Sequence, residues 1–155
     1  MKIIAMAAAA AALALLGGGA MAADDTAGIM NTVNGFNDGL NTGKIPTAYM
    51  TASQSVVDEF APHHWSGPGA AKAWWAAFGA FSQKSGMTEP AMKLAKPSRI
   101  EQDGAHAYVI VPAVFSFKQK GKPVHEDGAL TFAMDHAKGG WKISAFTWSG
   151  PRPTP

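Results

Sequence analysis

The sequence predicts an α+β domain: helices come first and cover one face of a curved, mostly antiparallel sheet that follows. Three observations lead there. Between Thr26 and Ser85, apolar residues recur mainly at the three-and-four spacing of a helix face, with one short strand interposed. Beyond Gly86 they fall into β-rich runs. Those runs are separated by short Gly-containing turns, which force neighbouring strands to be antiparallel.

Taken in order, the chain opens with the features of an export signal. Lys2 precedes the unbroken apolar run Ile3–Leu16, then Gly17–Gly19, then Ala20-Met21-Ala22, which fits the small-x-small cleavage rule. The apolar run is shorter than the roughly 20 residues of a spanning helix, which ranks an uncleaved anchor below cleavage. Residues 1–22 are therefore expected to be a signal peptide and 23–149 one domain. Residues 150–155 are expected to be an irregular Pro-rich tail, and the mature protein to be periplasmic or secreted, off the membrane.

Ile29, Val33, Phe36 and Leu40 make one stripe of a first helix over about Thr26–Leu40, with Asp24, Asp25 and Thr26 to cap it and Asn41-Thr42-Gly43 to stop it. Lys44–Thr51 reads as a short second helix with Pro46 in its first turn and Tyr49 and Met50 facing inward. Gln54–Phe60 reads as a strand and Ala61–Pro68 as a loop. A third helix, about Gly69–Ser85, carries the aromatic face Ala71, Trp74, Trp75, Phe78 and Phe81, closed by Gly86. Ala91–Ala95, Ala105–Gln119, Pro123–Met134 and Trp141–Ser149 are the meander, turning at 102–104, 120–122 and 137–140.

In Tyr108–Phe117 both alternating positions are apolar: Tyr108, Ile110, Pro112 and Val114 on one side, Val109, Val111, Phe115 and Phe117 on the other. A sheet open to water on one face should alternate. Something covers the second face, and a second copy of the chain, giving a homodimer, is the simplest candidate.

Composition removes several classes. There is no cysteine, hence no disulfide, thiol chemistry or lipid attachment. Charge is close to balanced, and the one basic cluster, Lys118, Lys120 and Lys122, surrounds a Gly turn, which points away from nucleic acid. No cofactor motif is present. His63, His64, His106 and His125 lack the spacing of a metal site, and no Gly-x-Ser-x-Gly is present for nucleophilic hydrolysis.

The most unusual segment is Ser55–Gly69. Asp58 and Glu59 end an apolar strand, and His63, His64 and Trp65 follow in a loop that feeds the third helix. A carboxylate beside imidazoles at a helix N-terminus is a usable acid/base or anion-binding arrangement. The plainer alternative has the acids hydrogen-bonding loop amides and the histidines partly exposed.

On the residues Phe36…Gly39-Leu40-Asn41-Thr42-Gly43, the segment Val56–Gly69 running into Ala70-Ala71-Lys72-Ala73-Trp74-Trp75, and Gly139-Gly140-Trp141-Lys142-Ile143-Ser144, the domain resembles the nuclear transport factor 2-like superfamily, in particular its SnoaL-like branch. That resemblance implies a cone, with three helices packed on a curved sheet around a pocket. The superfamily includes cyclases, isomerases, dehydratases and non-catalytic binding modules. Counting back from Ser66-Gly67, Asp58 falls where its ketosteroid isomerases keep their proton-shuttling aspartate. Phe36 and the vicinity of Gly128 fall where those enzymes keep their two oxyanion donors, and neither phenyl nor glycine can donate.

Two functions follow as expectations. The first is a module that binds a small apolar molecule through Phe36, Tyr49, Asp58, His64, Trp65 and Trp75. The second is a small lyase, cyclase or isomerase with Asp58 as general base and His64 assisting.

Overall fold

The structure is a computed structural model that describes residues 25–151. The expected signal peptide, the expected cap Asp24 and the tail residues 152–155 lie outside the described residues. Helix α1 (Thr26–Asn41) is followed by strands β1 (Met50–Val57) and β2 (His64–Pro68), then helix α2 (Ala70–Ser85). Five further strands complete the domain: β3 (Met87–Leu94), β4 (Arg99–Asp103), β5 (His106–Gln119), β6 (Lys122–Ala137) and β7 (Gly140–Ser149).

The strands form one sheet in the order β2-β1-β7-β6-β5-β3, with β4 beside the first half of β5. Among the described residues, only β1 and β7 run parallel. Register shifts at β1–β7, β3–β5 and β6–β7 bend the sheet around the helices, as an unpaired extra residue does.

Helix α1 forms where its stripe predicts. Ile29, Val33 and Phe36 are fully buried. The Asp25 carboxylate accepts from the Gly28 N–H at 2.9 Å, satisfying one of the free donors of the first turn. Two further bonds fix the helix to β7: the Thr32 hydroxyl donates to the Trp141 carbonyl, and the Trp141 indole donates to Asp25. Helix α2 ends at Gly86, whose φ of +73° suits glycine.

Three elements differ from expectation. The second helix is a single 3-10 turn, Thr47–Tyr49, so two helices pack on the sheet. Met50 and Thr51 belong to β1, where pairing with the buried strand β7 outweighs one more helical turn. Tyr49 faces outward, 37% exposed, its ring against Gly35 of α1, where a Cβ would collide with it. The expected loop 61–68 contains β2, an edge strand, where Pro68 and Gly67 cost no ladder bond in a sheet interior. Strand β4, also at an edge, was hidden by its charged residues Arg99, Glu101 and Asp103.

In β5 the alternation is real. Ala107, Val109, Val111 and Ala113 are buried in the core, while Tyr108, Ile110, Pro112 and Val114 point to the outer face, Tyr108 being exposed and the other three partly so.

Candidate functional site

The site lies at the α2 end of the cone. Strand β1 runs into the tight turn 58–63, where the Asp58 N–H donates to the His63 carbonyl and the His63 N–H to the Phe60 carbonyl. This turn folds Asp58, Glu59 and Phe60 back over the aromatic face of α2. Asp58 Oδ2 accepts from the Trp74 indole at 2.7 Å and Oδ1 from the Glu59 N–H at 2.7 Å. Phe60 is buried and stacks on Phe81, with ring centroids 5.2 Å apart.

Between α2 and the sheet is a cavity of about 70 Å³. Its helix wall is Trp74, Trp75, Phe78 and Phe81, and its sheet wall is Phe115, Leu130, Phe146 and Trp148. Leu40 and Asn41 of α1 and Met92 of β3 close one side. There Asn41 holds Met92 through both backbone groups, accepting from its N–H and donating to its carbonyl, each at 2.8 Å. Asp58 and Glu59 supply the charged part of the lining, and no lysine, arginine or histidine is among the lining residues.

A third acid stands behind this wall. Glu126 of β6 is opposite Phe115 and only 2% exposed, and its carboxylate accepts from the Trp148 indole at 3.2 Å. Gly128, on the same face of β6, makes that contact possible. A Cβ there would come within 2.7 Å of the Trp148 ring and 2.5 Å of the Ser149 carbonyl.

Burial of a carboxylate disfavours its charged form, and like charges add to that. Burial raises Asp58 above the usual aspartate range, against the lowering effects of the Trp74 bond, the Glu59 N–H and His63. Glu59 is pushed up to about 7, by burial first and then by the charges of Glu126 and Asp58. Glu126 is raised by burial and by Asp58, with the Trp148 bond opposing. The cavity is thus an aromatic chamber in a negative field, and among the described residues no group of acids and histidines is placed to hold a metal.

Of the six residues singled out in the sequence, Asp58 and Trp75 line the cavity. The other four lie elsewhere. Phe36 is sealed between Phe132 and Phe146 in the core, where aliphatic neighbours close over it. Tyr49 is on the outside of α1 because the second helix does not form. His64 is exposed on edge strand β2, bonded to the Ser55 hydroxyl at 3.2 Å. Trp65 is buried beneath Phe60, 5.4 Å away centroid to centroid. Trp74, Phe78 and Phe81, the other rings of the aromatic face read on the third helix, also line the cavity.

Glu126 went unread, although a signal existed. It is the one acid at the inward positions of β6, in register with Leu130, Phe132 and Met134.

The α+β cone, with a chamber between its second helix and a curved sheet, is a nuclear transport factor 2-like fold in which a single 3-10 turn stands in place of one of the three expected helices. Solved structures bear this out. A nuclear transport factor 2-like superfamily protein from Salmonella enterica serovar Typhimurium is similar at 21% identity and TM-score 0.64, over 82% of this chain and 91% of that one. A type 2 hexachlorocyclohexane dehydrochlorinase is similar at 14% identity and TM-score 0.68, over 83% and 86%. A ketosteroid isomerase-like protein from Erwinia carotovora atroseptica is similar at 15% identity and TM-score 0.64, over 86% and 99%. At these identities the likeness is one of fold. No protein-family model matches the chain, and no curated protein matches it.

Proposed function

We propose that the domain is an exported SnoaL-like module that holds a small, largely apolar molecule in the chamber between α2 and the sheet. The observation that carries this reading is the wall itself: rings from α2, β5, β7 and the 58–63 turn converge on one open space instead of filling it. Native mass spectrometry of protein purified from its own host tests it. A bound small molecule that is lost in Trp75→Ala supports the reading. A ligand-free protein whose Trp75 and Trp148 indole resonances ignore apolar probes counts against it.

Acid/base chemistry is a second reading, favoured by Asp58 and Glu59 in the chamber lining with Glu126 behind it, all three raised by burial. Asp58, which lines the chamber, would serve as general base. Two of the similar structures are described as a dehydrochlorinase and a ketosteroid isomerase-like protein, which is consistent with such chemistry on this scaffold. Exchange of α-carbon hydrogen in cyclic ketones dissolved in deuterium oxide, abolished by Asp58→Asn, would support it. Exchange no faster than in buffer would remove it.

Export and pairing belong to the same proposal. Cleavage before Ala23 predicts the corresponding intact mass in the periplasmic or culture fraction. On the outer face of β5, Tyr108, Ile110 and Pro112 lie opposite Ala133, Thr131 and Ala129 of β6, while Val114 lies between Lys93 of β3 and Asp127 of β6. Pairing of two such faces about a two-fold axis would cover these apolar side chains, and sedimentation at micromolar concentration should report a dimer.

A further inference from the structure

We propose that the ligand of the aromatic chamber is a small organic cation, a protonated amine or quaternary ammonium on an apolar frame. The proposal rests on the binding reading above and narrows its ligand to one chemical class.

The chamber combines two features that separately have other uses. Its rings, Trp74, Trp75, Phe78, Phe115 and Trp148, line one space. The face of an aromatic ring attracts a cation, most strongly when water is excluded. Its charged lining is two carboxylates, Asp58 and Glu59, with Glu126 held behind Trp148. No lysine, arginine or histidine side chain lines the chamber to neutralise them.

A neutral apolar ligand would remove water from Asp58 and Glu59 and return nothing to them. An anion would be repelled by both. A cation compensates the desolvation of the carboxylates and gains the ring faces at once. The two oxygens of Asp58 already accept one bond each, so the site offers charge more than a free hydrogen-bonding fork. That favours a diffuse cation, such as an alkylated ammonium, over a compact donor.

The test uses phenyltrimethylammonium and its neutral isostere tert-butylbenzene, which share shape and differ in charge. Binding is followed by the indole N–H resonances of Trp74, Trp75 and Trp148, with Trp141 as an internal control at the far end of the cone. Trp141 is buried and bonded to Asp25. The cation is expected to bind about tenfold more tightly than the isostere. Glu59→Gln should weaken the cation several-fold without weakening the isostere.

Equal or tighter binding of tert-butylbenzene overturns the cation proposal while the apolar pocket stands. So does a cation affinity that Glu59→Gln does not alter. If neither probe moves the chamber tryptophans, the pocket reading falls and takes this one with it.

Discussion

Each helix of this domain crosses the same sheet, yet the two crossings end differently. Under α1, Ile29, Val33 and Phe36 meet Val109, Phe132, Met134 and Ile143, all at 0–1% exposure. Under α2, Trp74 meets Phe146 and Phe78 meets Phe115, with ring centroids 5.0 and 6.3 Å apart, and a cavity is left between these contacts, Trp75 and Trp148. Branched aliphatic side chains interdigitate to crystal-like density, whereas flat rings meeting at angles enclose gaps. Polar groups divide the same way. The sealed end pairs Thr32 and Asp25 with Trp141, while the open end gathers like charges. Stability is concentrated in the first crossing, and unfavourable electrostatics, tolerated for binding, in the second.

The comparison is broken most directly at Phe132. Its ring is fully buried between Phe36 and Phe146. Phe132→Ala should cost about 3–5 kcal/mol in urea unfolding. A loss under about 1 kcal/mol would mean that the sealed end collapses freely and is not where stability resides.

Glu126 gives the next largest effect. Glu126→Ala leaves the buried Trp148 indole without its acceptor and should cost about 1–3 kcal/mol. Glu126→Gln keeps an acceptor oxygen and removes a charge, so at pH 8 it should be as stable as the parent or more so. A Gln variant as damaged as the Ala variant would show that the ionised carboxylate itself holds Trp148.

The uneven legibility of the sequence follows the same division. The α1 stripe was readable because helical period and burial coincide at Ile29, Val33 and Phe36. The hairpins of β5, β6 and β7 were readable because their turns carry glycine at 104, 121 and 139. Edge strands β2 and β4 were not, since edge positions tolerate the Pro, Gly and charged residues that otherwise mark loops. At the site, Asp58 and Trp75 were legible as an acid ending a strand and an aromatic on a helix face. Glu126 meets them only through the pairing of β6 with β5 and β7, a long-range register that local pattern does not contain.

Trp75 separates packing from binding. It is partly exposed at the chamber wall, in contact with Trp74 and Phe78. Trp75→Ala should cost only about 1 kcal/mol of stability, yet abolish the response of the Trp148 indole to phenyltrimethylammonium. A large stability loss with binding retained would reverse the roles assigned to the two ends.

The smallest effect, and the most specific to the open end, is the pH dependence at Glu59. Its carboxyl is raised to about 7 in the folded chain, by burial and by Glu126 and Asp58. The folded state therefore holds that proton more tightly than the unfolded state. At pH 8 both states are ionised and the folded state bears the repulsion. As the pH falls through about 7 the folded state takes up the proton first, and the gain is complete once the pH is below the unfolded glutamate range. The urea midpoint should accordingly rise between pH 8 and pH 5. Asp58 and Glu126 shift in the same direction, so the trend weakens in Glu59→Gln without vanishing. Solvent contact at Glu59 screens the interaction, which keeps the expected gain of Glu59→Gln at pH 8 to less than about 1 kcal/mol. Urea melts of parent and variant at the two pH values measure it. Identical pH dependence in both proteins would mean that Glu59 is not part of the shared field and that the negative end of the cone rests on Asp58 and Glu126 alone.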